Sequence, residues 1–140
     1  MTDKELVVRK LALLALHLAR AQRRRGGDVE SFRSSEDLQD ALAMSVMVAL
    51  QEAVDIAFHI TADEGWGVPA SNAEAFALLS QRGVLPDELG ASMATTVRLR
   101  NRLAHAYSTL DVDRLWHELP SGLTLLGEFN RAVAKWLETV

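Results

Sequence analysis

Residues Arg100, Asn101, Arg102, His105 and Tyr107 place three kinds of proton donor and two fixed cations within one stretch of eight residues. Such a set suits the handling of a phosphodiester. A guanidinium offers a permanent charge and a donor fork matched to phosphate oxygens. Imidazole, with an ordinary pKa of roughly 6.5, exchanges protons near neutrality. The surrounding pattern is helical, and Asn101 and His105, four apart, share a helix face, so the amide can orient the ring. Arg100 precedes His105 by five positions, about 140° round an ideal helix, and must use its long stem to converge on it. Tyr107 falls on the far side if the helix continues, so the helix is expected to fray just after His105, as Ser108-Thr109-Leu110-Asp111 also suggests.

The spacing Arg-x4-His-x-Tyr, together with blocks upstream of it, resembles the HEPN-domain ribonucleases, specifically the HepT-like toxins of bacterial toxin–antitoxin pairs. The upstream blocks are Ser35 to Ala41, Glu52 to Ile60, Gly65 to Ser71 and Glu74 to Gly83, in family order and spacing, so the likeness covers roughly residues 35 to 115. Ala104 departs from the pattern by being small where a larger apolar residue is common, which bears on packing more than on chemistry. The resemblance implies an antiparallel all-α bundle of about five to six helices, dimeric, that cleaves RNA without metal or cofactor. Arg100, His105 and Asn101 would be its catalytic residues. It further implies a partner, a minimal nucleotidyltransferase antitoxin that adenylylates the motif tyrosine, here Tyr107.

RNA carries its own nucleophile, the 2′-hydroxyl, so such an enzyme needs only proton transfer and charge stabilisation. His105 would serve as general base or acid, Arg100 would hold the phosphate, and the products would be a 2′,3′-cyclic phosphate and a 5′-hydroxyl. One histidine per chain does not supply both acid and base. A twofold homodimer that brings two motifs to one cleft would.

Composition narrows the field. With 140 residues and no cysteine, the chain reads as a single domain over 1–140 with neither disulfides nor thiolate zinc sites. The N-terminus lacks the layout of a signal peptide, and the apolar run from Leu11 to Leu16 is too short to span a bilayer, so a cytoplasmic protein without membrane contact is expected. A net charge of −4 argues against broad binding to nucleic acid but not against a local basic patch. Basic residues do cluster, at Arg20 and Arg23 to Arg25 and again at Arg98, Arg100 and Arg102.

The elements that must position the motif follow from periodicity. Val7, Leu11, Leu14 and Leu18 stripe a first helix capped by Thr2 or Asp3 and stopped at Gly26-Gly27. A second, longest helix opens at Ser34 or Ser35; its seam of Leu42, Val46, Ala49, Ala53, Ile56 and Ile60 is flanked by Leu50, Val54 and Phe58, an arc too wide for one neighbour. Ser71 or Asn72 caps a short third helix that ends by Gly83, and Pro86 starts a fourth that carries the motif. Asp111 or Asp113 caps a short fifth helix ended by Pro120-Ser121-Gly122, and Leu126 to Val140 form the last.

Plainer readings stand beside these. Arg and His near a helix C-terminus also stabilise the dipole, and a tyrosine ring also packs. Arg98 and Arg102 suit solvated charges, though either could guide RNA. Glu52, Asp55 and His59 form a polar stripe that either faces water or lines the cleft of the motif; the paired-histidine spacing of zinc hydrolases is absent. His17 among leucines reads as packing, and Arg23 to Arg25 as a solvated helix end, with an RNA-contacting arm as the second reading. The rival function is a non-catalytic helical dimer that binds a nucleotidyltransferase partner or a nucleotide.

Overall fold

The computed structural model describes the backbone of residues 1–105 and 111–140 and the side chains of 1–103 and 111–140, and Tyr107 lies outside them. Among the described residues the chain forms seven helices and no strand: α1 (Lys4–Arg25), α2 (Val29–Arg33), α3 (Glu36–Asp63), α4 (Asn72–Gln81), α5 (Asp87–Thr96), α6 (Arg98–His105) and α7 (Val112–Leu137). Short polar side chains start five of them. Asp3, Asp28, Ser35, Ser71 and Asp111 each accept a hydrogen bond from a backbone N–H of the first turn. Gly26 ends α1 at φ 65°, a conformation that residues with a Cβ rarely adopt.

Three long helices make the frame. Thr2 bonds Glu64 at 3.0 Å and Lys10 approaches Glu52 at 3.4 Å, so α1 runs antiparallel to α3. Lys4 meets the Val140 carbonyl, Asn130 Nδ2 donates to the Leu11 carbonyl at 2.8 Å, and Arg25 reaches Trp116, so α7 also runs antiparallel to α1. The short helices α4 to α6 carry the chain from the end of α3 back to the start of α7. Phe76 of α4 meets Phe129 of α7 edge to face at 5.8 Å, and Trp66 in the preceding link meets Trp136 at 5.9 Å. Gly90 of α5 has no room for a side chain, because a Cβ there would overlap the Ser80 hydroxyl of α4. Buried side chains from every helix join one core. α3 is long and apolar enough to cross a membrane by composition, but most of that window is buried inside the bundle, as suits a core helix.

Three boundaries differ from those the pattern suggests. Asp28 caps a five-residue helix, α2, in a stretch that periodicity cannot resolve. The helix expected from Pro86 through the motif is interrupted at Val97. Thr95-Thr96-Val97 is a β-branched run, and the Thr95 hydroxyl bonds back to the Ala91 carbonyl at 3.4 Å; α6 restarts with Arg100 N–H on the Val97 carbonyl at 3.2 Å. Finally, Pro120 does not end a helix but lies inside α7.

The survival of α7 through Pro120 has a tertiary cause. Proline removes the N–H that would bond the carbonyl four residues back, that of Trp116. Arg25 Nε supplies the missing donor to the Trp116 carbonyl at 2.7 Å. In return Trp116 Nε1 donates to the Arg25 carbonyl at 2.9 Å, and the Arg25 guanidinium lies over the indole, 3.7 Å from its centroid.

Arg25→Ala should therefore lower stability by about 1–2 kcal/mol in urea denaturation, through the lost hydrogen bond and cation–π contact. In a Pro120→Ala background the new N–H can take the Trp116 carbonyl, and the cost of losing Arg25 should fall by about half. Full additivity of the two changes would show that the carbonyl draws nothing from Arg25.

Candidate active site

Eight residues make a marginal helix alone, so α6 owes its place to packing. Leu103 is buried and Leu99 half-buried against the core, while Arg98, Asn101 and Arg102 are exposed. α6 contacts α3 and α5, and no acidic residue lies in its first turn. The two leucines thus hold three arginines on one short helix of a chain that is acidic overall.

Arg100 is half-buried. Its Nη1 donates to Asn101 Oδ1 at a long 3.4 Å, while its Nε is shielded from solvent and has no hydrogen-bond partner among the described residues. A buried donor without a partner is costly, the more so on a charged group, and an anion arriving there would relieve the cost. His105 is the last described residue of α6, and its side chain lies outside the description. The expectations for Tyr107, and for fraying after His105, fall on residues outside it as well.

Arg102 points the other way, to the rim of a groove of about 940 Å³ between α3, α5, α6 and α7. Val46, Leu50, Leu99, Leu115 and Leu119 floor this groove, and Thr95, Asp111 and Arg114 share the rim. Arg114 is paired with Glu118 at 3.0 Å, whereas Arg102 makes no ion pair among the described residues. The groove was not legible in the sequence, because four helices compose it and its apolar floor reads as ordinary core.

Glu52, Asp55 and His59 do not line this groove. At 100° per residue they lie about 140° to 180° round α3 from Leu50, on its other side. There Lys10 of α1 approaches Glu52 at 3.4 Å and Asp55 at 3.6 Å, and Gln51 donates to Asp55 at 2.8 Å. These carboxylates are ionic ties between two helices, neither simply solvated nor at the groove. Among the described residues no group of three His, Asp or Glu side chains is arranged to hold a metal ion.

His17 belongs to the same α1–α3 seam. Its Nδ1 is buried without a partner among the described residues. Burial first, then the nearby Arg20, with Arg24 adding, pushes its pKa below the ordinary 6.5 against the opposing pull of Glu52. The folded state therefore binds this proton less tightly than the unfolded state. Stability is unaffected well above pH 6.5, declines as pH falls through 6.5, and has lost the full contribution below the depressed folded value. Between about pH 7.5 and about pH 5, the urea midpoint of the wild type should drop more than that of His17→Gln. Equal drops would remove His17 from the acid sensitivity of the fold.

The comparisons with known proteins converge on one group. Residues 14–133 match the family model described as ribonuclease HepT-like. The mRNA nuclease HepT of Shewanella oneidensis is 28% identical over 113 residues, covering 81% of this chain and 84% of that protein. The tRNA nuclease HepT of Aphanizomenon flos-aquae is 27% identical over 142 residues, covering 100% and 97%. Among solved structures, the tri-AMPylated Shewanella oneidensis HEPN toxin in complex with MNT antitoxin superposes with a TM-score of 0.84 at 27% identity, over 96% of this chain and 99% of that one.

Proposed function

The chain belongs to the HepT-like ribonuclease family, and from that membership we propose that it is the endoribonuclease toxin of a toxin–antitoxin pair, cutting RNA through Arg100, Asn101 and His105 without a metal ion. The observation that carries the reading is the half-buried Arg100 guanidinium, whose Nε donor is unmet among the described residues, five positions before His105 on a helix rich in arginine.

In this reading the 2′-oxygen attacks phosphorus and the bond to the 5′-oxygen breaks. His105 takes the proton of the 2′-hydroxyl or gives one to the leaving 5′-oxygen. Arg100 binds the phosphate and stabilises charge developing on its non-bridging oxygens. Asn101, which accepts from Arg100, holds that guanidinium or a phosphate oxygen in place. Arg102, without an ion-pair partner among the described residues, steers the strand along the groove.

The second proton carrier comes from a second copy. The outer strip of α3, with Met44 56% exposed and Met47, Val48 and Phe58 partly exposed, is apolar and adjoins the Gln51–Asp55 pair. A twofold contact along it would bury that strip and bring two α6 helices together, making one cleft with two histidines. Control by a nucleotidyltransferase antitoxin fits the same chemistry, since the similar Shewanella oneidensis HEPN toxin is found tri-AMPylated in complex with MNT antitoxin. AMP on Tyr107 would set a phosphate beside Arg100 or Arg102, where RNA phosphate must bind. The protein works in the cytoplasm, where RNA and such a partner are found.

Arg100→Ala and His105→Ala should each reduce RNA cleavage by roughly two to four orders of magnitude while the helical circular dichroism is kept. Cleavage by the wild type should persist in EDTA and leave 2′,3′-cyclic phosphate ends. Loss of cleavage on chelation, with recovery on adding a divalent ion, would overturn the metal-free mechanism. Co-expression with the cognate nucleotidyltransferase should add AMP to Tyr107, and Tyr107→Phe should escape that modification. An adduct on the Phe variant would exclude Tyr107 as the switch.

A further inference from the structure

The groove beside α6 has an electrical direction that the steering of phosphate leaves unused. Arg102 stands on its α6 side without an ion-pair partner among the described residues. Asp111 and Glu118 stand on its α7 side. Glu118 is tied to Arg114 at 3.0 Å. Asp111 Oδ1 caps α7 by accepting the Arg114 N–H at 3.1 Å, and its other carboxylate oxygen accepts nothing among the described residues. A bare phosphate is attracted to the first side and repelled by the second. A nucleotide, with its anion at one end and N–H donors at the other, matches both.

Between the charged sides the lining suits a flat apolar body. Leu99, Leu123 and Leu125 are half-buried there, over the buried Leu50, Leu115 and Leu119. The Ser92 and Thr96 hydroxyls of α5 also line the groove and have no hydrogen-bond partner among the described residues. About 940 Å³ of mainly apolar lining with a few polar groups is the form of a small-ligand site. Single-stranded RNA supplies such a ligand, because an unstacked base can leave the strand and be read along its edge. On an ideal helix Arg102 precedes His105 by about 4.5 Å along the axis and lies about 60° from it, so phosphates at these two positions can belong to neighbouring nucleotides.

We propose that the groove is a nucleobase subsite that selects guanine next to the cut, an inference that rests on the RNA-cleaving reading above. Guanine presents N1–H and N2–H side by side, and a carboxylate accepts two such donors at once. Asp111 takes that pair, a Ser92 or Thr96 hydroxyl donates to guanine O6, and Arg102 holds the phosphate. Uracil sets carbonyl oxygens on both sides of its one N–H, and the carboxylate repels them. Adenine and cytosine each offer a single amino group beside a ring acceptor.

Two oligonucleotide series test the subsite on the full chain. In 2′-O-methyl heptamers of uridine, which lack the nucleophile, guanine replaces one uracil at each position in turn. Fluorescence anisotropy should show one register in which guanine tightens binding by roughly tenfold or more. In the same series with one free 2′-hydroxyl, that register should place guanine next to the cleaved bond and raise kcat/KM by a similar factor. Asp111→Asn keeps a capping side chain but sets an amide donor where guanine needs an acceptor, and should bring the guanine-to-uracil ratio close to one. Thr95→Trp, which fills the groove from its exposed rim, should do the same. A purely structural role for either residue would lower both rates together and leave the ratio. Equal guanine and uracil values in every register, or a ratio kept in Asp111→Asn, would overturn the proposal. A changed sedimentation mass for Thr95→Trp would also overturn it, because the groove then belongs to a second copy of the chain. Guanine preference in binding without any cleavage would sink the nuclease reading and leave the subsite standing.

Discussion

A single helix with apolar residues on most of its circumference must be removed from water on several sides at once, and α3 imposes that constraint on the rest of the chain. Ile56, Leu42, Ile60 and Leu50 are all fully buried, and from Ile56 to Leu50 they span an arc of about 120° round the helix. α1, α2, α4, α6 and α7 all contact α3. Desolvating a large aliphatic side chain is worth about 1.5–3 kcal/mol, so covering each sector of α3 outweighs the small preferences of the short helices that do the covering. α6 is such a helix. Eight residues rich in arginine would not hold a helix alone, and Leu99 and Leu103 fix it on α3 with Arg98 and Arg102 turned outward and Arg100 half-buried.

The second constraint is continuity of α7. Antiparallel pairing with α1 keeps it in register from Val140 at Lys4 through Asn130 at Leu11 to Trp116 at Arg25. Pro120 interrupts the hydrogen-bond ladder in the middle of this run, and the deficit is met from another helix. Because α7 is unbroken, its first half stands opposite α3 and α5, and the space left between them is the groove that Arg102 borders. A helix ended at Pro120 would have left no such wall.

Electrostatically the molecule is divided. Its net charge is −4, and several carboxylates are used in ties between helices: Glu52 and Asp55 of α3 with Lys10 of α1, and Asp113 of α7 with Arg33 of α2 through two bonds of 2.7 and 2.9 Å. The Arg33–Asp113 pair holds the Asp113 carboxyl below the usual carboxylate range. At α6 the balance reverses, with Arg98, Arg100 and Arg102 meeting no ion-pair partner among the described residues. A protein repelled by polyanions overall can still hold one phosphate where its cations are confined and partly desolvated.

The sequence by itself determined the helical class, the helix starts to within a pair of candidate caps each, from which the structure takes Asp3, Ser35, Ser71 and Asp111, the wide apolar arc of α3 and the family carrying the Arg-x4-His-x-Tyr spacing. All of these are local or periodic signals, and each depends on residues within a few turns of one another. Three features were decided only by tertiary structure. Pro120 stays inside α7 because Arg25, more than ninety positions earlier, donates to the Trp116 carbonyl. The motif helix is a separate piece because the β-branched run at Thr95 to Val97 yields where α5 and α6 must pack on different parts of the bundle. Glu52 and Asp55 face Lys10 and not the groove, because the register of α1 against α3 sets which side of a polar stripe meets a cation. Hydropathy marks a residue as polar or apolar, but not which distant partner satisfies it; only packing in three dimensions assigns that partner.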